Sequence, residues 1–101
     1  MDPFAKPIKT LVIENDFAFT DFEDESHQDL ILDASKVSID QAWVNQYVNF
    51  LAGIAAENYS RVLVTTTDFL SLFPEECIVV PTLGEAQDLI EMERIERDLG
   101  F

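Results

Sequence analysis

The order of apolar and amphipathic stretches predicts an α/β protein, with a mixed four- to five-stranded sheet and helices mainly on one face. Three observations lead there. Short apolar runs at 8–13, 29–33, 61–66 and 77–80, most of them rich in β-branched residues, have the length and composition of strands. Apolar residues spaced three and four apart mark long helices after the second and the fourth of these runs. Strands alternating with helices require crossover connections, and therefore a parallel portion of sheet.

Residues 1–7 hold two prolines and read as an irregular lead-in, leaving 8–101 as a single domain. Ile8 to Ile13 is the first expected strand. Phe17 and Phe19 alternate with polar neighbours, as a second strand with one buried face would, so a hairpin around Glu14-Asn15-Asp16 is expected. Thr20 to Gln28 is acidic and reads as a solvated loop, with His27 exposed in it. Asp29-Leu30-Ile31-Leu32-Asp33 is an apolar run bounded by acids, the signature of a strand covered on both faces.

The first long helix is expected from Ala42 to about Asn58. Val44, Tyr47, Val48, Leu51 and Ala55 form its inner stripe, widened by Trp43, Phe50 and Ile54. Ser38 with Gln41 matches a capping box at its start, and Asp40 is the alternative cap. Arg61 to Thr66 gives another strand, followed by a short helix through Phe69, Leu70, Leu72 and Phe73 that Pro74 stops. Cys77 to Val80 is the last strand, with Cys77 as a small buried hydrophobe. Thr82 and Glu85 form a second capping box, opening a helix that runs to about Leu99 before Gly100.

The apolar stripe of that last helix changes side. Leu83, Ala86 and Ile90 share one face, while Met92, Ile95 and Leu99 gather opposite them. The tail is therefore expected either to fold under the N-terminal hairpin or to make an oligomer contact through Met92, Ile95 and Leu99, as in a homodimer. Glu93 with Arg97 and Arg94 with Asp98 are spaced for i,i+4 ion pairs.

Composition narrows the function. Twenty acids against six bases leave a net charge of −14, with a pI near 4.1. Phosphate backbones are held mainly by Lys and Arg, so neither nucleic acid nor an anionic membrane is an expected partner. One cysteine and one histidine provide no disulfide and no metal-ligand spacing. No glycine-rich phosphate loop occurs among three glycines, so neither an enzyme nor a cofactor is expected. No signal peptide or 18-residue apolar run is visible, which points to the cytoplasm.

Three stretches, L-I-L-D-A-S-K-V-S-I-D at 30–40, R-V-L-V-T-T at 61–66 and I-V-V-P-T-L-G-E-A-Q-D-L-I at 78–90, occur in an order that resembles the STAS domain of bacterial anti-sigma factor antagonists, over roughly residues 8–99. The resemblance implies a STAS-like sheet and a regulatory domain that docks another protein, an anti-sigma factor or serine-kinase-like regulator. The family's switch is a serine in a D-S-S-G-like turn at the start of the first long helix. Asp40 matches its Asp, while Gln41, Ala42 and Trp43 replace the two serines and the glycine. The acceptor hydroxyl is therefore missing, with Ser35 and Ser38 nearby as substitutes. The expected partner-binding set is Asp33, Ser35, Ser38, Asp40, Gln41, Ala42 and Trp43, in a non-catalytic interaction module. The alternative is a structural or oligomerising subunit that uses the last helix.

Overall fold

The computed structural model describes residues 8–14, 28–53 and 59–99. In chain order the elements are β1 (Lys9–Val12), β2 (Leu30–Asp33), α1 (Gln41–Gly53), β3 (Arg61–Val64), a 3-10 helix (Thr67–Leu72), β4 (Val79–Val80) and α2 (Leu83–Asp98). The strands form one sheet in the order β1-β2-β3-β4. All three strand pairings are parallel, with Leu11 beside Leu32 and Leu32 beside Leu63. A mixed sheet was expected from the Phe17/Phe19 hairpin. That segment lies outside the described residues, as do 1–7, and among the described strands the sheet is parallel.

Each strand sends alternate side chains to opposite faces. Leu11, Ile13, Leu30, Leu32 and Leu63 meet Val44, Tyr47 and Phe50 of α1 on one face, with Phe69 and Phe73 from the 3-10 helix region packed beside them. Ile31, Val62 and Val64 meet Ala86 and Ile90 of α2 on the other. The helices therefore do not lie mainly on one face: α1 and α2 sandwich the sheet. This corrects the sequence expectation, and the continuous apolar run of β2 explains it. Leu30, Ile31 and Leu32 are all fully buried, which needs cover on both faces.

What holds the distal turns of α2 in place is polar. Asp29, just before β2, is 4% exposed. Its Oδ1 accepts from the Ser60 backbone N–H at 2.6 Å, and its Oδ2 accepts from Arg94 Nε at 2.6 Å. Arg97 Nη2 lies 3.3 Å from the same Oδ2, and Arg97 Nη1 donates to Ser60 Oγ at 3.0 Å. Ser60 Oγ in turn donates to Glu93 Oε2 at 2.9 Å. Backbone bonds join the same corner: Lys9 N–H donates to the Asp29 carbonyl at 3.0 Å, and Leu30 N–H to the Ser60 carbonyl at 2.9 Å. Asp29 thus ties the starts of β1, β2 and β3 to the distal turns of α2, through its backbone carbonyl to β1 and through its carboxylate to Ser60, Arg94 and Arg97. Arg94 and Arg97 turn inward to Asp29, and Glu93 turns to Ser60, where sequence spacing had suggested surface pairs along the helix.

The start of α2 is the one expected from sequence, and the stripe opposite Ala86 and Ile90 is exposed. Thr82 Oγ1 caps the helix by accepting from Glu85 N–H at 3.2 Å, and Met92, Ile95 and Leu99 are exposed. Cys77 sits in the turn before β4 and not in a strand, with its N–H donating to the Pro74 carbonyl at 3.0 Å.

Removing one member of a buried charge pair leaves the other desolvated and unpaired. Asp29→Ala is therefore expected to cost about 3–5 kcal/mol of unfolding free energy by urea titration. Arg97→Ala, whose side chain is 30% exposed, is expected to cost about 1 kcal/mol or less. Equal costs for the two would show that Asp29 is not the hub of this corner.

Candidate functional site

In a parallel sheet the carboxyl ends of the strands are where loops gather to form a site. Here the loop from β2 to α1 leaves that end. Asp33 closes β2, and the Ala34 N–H still donates to the Val64 carbonyl at 2.8 Å before the chain turns away. Asp33 Oδ1 accepts from both Ser35 N–H at 3.1 Å and Ser35 Oγ at 2.6 Å, a local turn that short acidic side chains favour. Val37 and Ile39 are buried and pin the loop, whereas Ser35, Ser38 and Asp40 are exposed.

Asp40 is the helix cap. Its Oδ1 accepts from the Trp43 N–H at 2.9 Å, and its carbonyl accepts the first helical bond, from Val44 N–H at 3.1 Å. The Ser38–Gln41 box expected from sequence is not the cap. Gln41 instead donates through Nε2 to Asn45 Oδ1 at 3.2 Å, one turn along the helix. Because it begins at Gln41, α1 leaves Ser38 two residues short of the capping position.

Trp43 is half-buried. It stacks on Tyr47 with ring centroids 5.8 Å apart and meets Phe73 edge-on at 6.3 Å. Tyr47 and Phe73 complete the trio, edge-to-face at 6.0 Å. Offset and edge-on pairs of this kind add to the stabilisation from burial. The cluster joins α1 to the end of the 3-10 helix, so Trp43 is partly a core residue. Burial pushes the Tyr47 phenol far above its usual pKa, with a smaller contribution from Cys77. Burial also pushes the Cys77 thiol up, and Glu76 adds to that shift.

A groove of about 610 Å³ runs along α1 against the end of the 3-10 helix, lined by Gln41, Val44, Asn45, Val48, Asn49, Leu72, Phe73 and Pro74. Of the partner-binding set expected from sequence, only Gln41 lines it. Asp33 and Ser35 are joined to each other, Asp40 and Ala42 lie at the helix start, and Trp43 belongs to the aromatic cluster. Asn45, Asn49 and the Leu72-Phe73-Pro74 corner were missed. A signal was available: α1 carries no charged side chain along its thirteen residues, although Gln41, Ala42, Asn45, Gln46, Asn49 and Ala52 are exposed. In a chain with 26% charged residues, such an exposed surface stands out.

No family model, no curated protein and no solved structure matches this chain. The geometry of the site therefore carries the functional reading. Among the described residues no group of three or more His, Cys, Asp or Glu side chains is placed to hold a metal ion. No helix among them is long and apolar enough to cross a membrane.

The cap assignment predicts that Asp40→Ala costs about 1 kcal/mol in urea unfolding, while Ser38→Ala costs under about 0.5 kcal/mol. The reverse order would move the cap to Ser38. Tyr47 predicts an alkaline effect. Its folded-state pKa lies above the unfolded value of 10.0, so its contribution to stability is complete below that pH and is lost as pH rises past it. The stability difference between wild type and Tyr47→Phe should fall by about 1.4 kcal/mol per pH unit above pH 10. A difference that stays constant to pH 11 would contradict the burial of the phenol.

Proposed function

We propose that this chain is a non-catalytic protein-interaction module that docks a partner protein on the exposed flank of α1 and the groove beside it. One observation carries the reading: this is an uncharged yet solvent-exposed helix surface in a protein of net charge −14. Charged side chains resist desolvation, and the centres of protein interfaces are depleted of them. Amides such as Asn45 and Asn49 can exchange bonds to water for bonds to a partner at little cost. Val48, Leu72, Phe73 and Pro74 provide apolar contact within the groove.

The STAS resemblance is part of this proposal. On that reading the partner is an anti-sigma factor or serine-kinase-like regulator, and the start of α1, with Asp33, Ser35 and Asp40, forms the rim of the docking surface. Ala42 stands where the family's acceptor serine would be. Ser35 is a poor substitute acceptor. Its hydroxyl already donates to Asp33 Oδ1, and a phosphate there would set about −1.5 to −2 charges against that carboxylate. The module therefore docks without a phosphoryl switch at this helix start.

The test introduces charge of either sign. Asn45 and Asn49 are exposed, so Asn45→Glu/Asn49→Glu and Asn45→Lys/Asn49→Lys are each expected to leave stability within about 1 kcal/mol. The wild-type chain is expected to capture one protein stoichiometrically from native lysate, and both pairs to weaken that capture by about tenfold or more. Loss with both signs identifies desolvation. Loss with one sign alone would make the contact a matter of charge steering. No stoichiometric partner, or capture indifferent to both pairs, would overturn the proposal.

A further inference from the structure

The face of α2 turned away from the sheet has no part in the reading above. At about 100° per residue, Met92, Ile95 and Leu99 fall along the middle of that face, and they are 62%, 51% and 62% exposed. Glu85 and Glu96 flank this stripe on one side and Glu91 and Asp98 on the other, while Asp88 continues its line towards the helix start. All five acids are exposed. The two cations of the helix, Arg94 and Arg97, are drawn to Asp29 beneath it. The outward face is thus an apolar stripe in a frame that is acidic on both sides.

We propose that this face docks a basic amphipathic helix from a partner protein, with apolar side chains on the Met92–Ile95–Leu99 stripe and Lys or Arg facing the acids on either side. Charge selects the occupant. A second copy of this chain, paired through the same stripe about a two-fold axis, would set Glu85, Asp88, Glu91, Glu96 and Asp98 against the identical five. Among the described residues no cation on that face of α2 offsets them, which disfavours the homodimer expected from sequence. An acidic or neutral apolar segment would leave the frame unpaired. The i, i+3, i+7 spacing of the stripe covers about 10 Å along the helix, two turns, which suits a crossing helix.

The experiment titrates the isotope-labelled full chain with a Leu/Lys peptide of about 18 residues, long enough to form an amphipathic helix. A Leu/Glu peptide of the same pattern is the control. The expected result is amide shift changes concentrated between residues 88 and 99, with no binding of the Leu/Glu peptide. Met92→Ser/Ile95→Ser/Leu99→Ser should weaken the Leu/Lys peptide by about tenfold, and Glu91→Lys/Glu96→Lys by a similar factor. Glu75→Lys/Glu76→Lys makes the same change in net charge at a remote exposed turn and should leave Kd within about twofold. All substituted positions are exposed, and an unchanged thermal midpoint checks that each variant is folded. The proposal fails if the Leu/Lys peptide does not bind or shifts residues along α1 instead. It fails too if the remote pair weakens binding as much as the α2 pair. A wild-type dimer in sedimentation that Leu99→Lys dissociates would give this face to a second copy. Failure here leaves the α1 reading intact, because its variants lie on the opposite side of the sheet.

Discussion

The Asp29 carboxylate is the constraint on which the rest of the arrangement depends. It sits where β1, β2 and β3 begin, and through Ser60, Arg94 and Arg97 it fixes the far end of α2. A buried carboxylate is costly unless its lone pairs are used, and here its two oxygens face a backbone N–H and two guanidinium groups. The apolar contacts of α2 alone are modest. Ala86 and Ile90 are its fully buried hydrophobic residues, and the distal turns add no aliphatic anchor. Without the clamp, the last two turns of α2 would have little to hold them to the sheet. The clamp lies at the amino ends of the strands, and the loop carrying Asp33 and Asp40 lies at the carboxyl ends, about 13 Å away across four strand residues. The clamp sits at one end of the sheet and the loop of the candidate site at the other.

The same clamp decides the charge pattern of the surface. A helix with six acids and two arginines would usually balance part of its charge by pairs along its own face. Here both arginines are paired with Asp29, so the outward face of α2 presents mainly acids and apolar side chains. On the other side of the sheet α1 shows the opposite pattern, with amides and small residues outward and no charge. The two faces of one small domain thus differ in what they could recognise: α1 has no charged residue in its sequence, and on α2 the two guanidinium groups point inward to Asp29.

Much of this fold was legible in the sequence. The apolar runs located β1, β2 and β3 to within about two residues, and Pro74 and the Thr82–Glu85 box marked true boundaries. The placement of α2 was not legible. Hydropathy treats Glu93, Arg94 and Arg97 as solvent-facing, so the helix looked as if its inner stripe ended near Leu89. Their real partners are Asp29 and Ser60, more than thirty residues away in the chain, and no local pattern signals such a contact. The cap of α1 was ambiguous for a related reason: Ser38 and Asp40 both offer an oxygen, and only the buried positions of Val37 and Ile39 set which one meets the first free N–H. Trp43 was expected both in the inner stripe of α1 and in the partner-binding set, and its stacking on Tyr47 and edge contact with Phe73 make it partly a core residue. Asn45 and Asn49 were overlooked because neutral amides draw little notice, although in so acidic a chain the lack of charge was the stronger signal.

On the proposed reading, the start of α1 combines features that work against a covalent switch. A phosphoryl group would gain from the positive end of the helix dipole, but Asp40 already occupies that end by capping Trp43. At position 42 there is no hydroxyl, at 35 the hydroxyl is tied to Asp33, and at 38 the serine precedes the cap. A second anion beside Asp33 and Asp40 would repel both, in a protein with fourteen negative charges in excess. Docking through α1 then depends on shape and desolvation, both of which are present as soon as the domain folds. On that reading, regulation of the module comes from how much partner is present or from competition for its surface, because neither the groove lining nor the exposed residues of α1 include a charged or hydroxyl side chain.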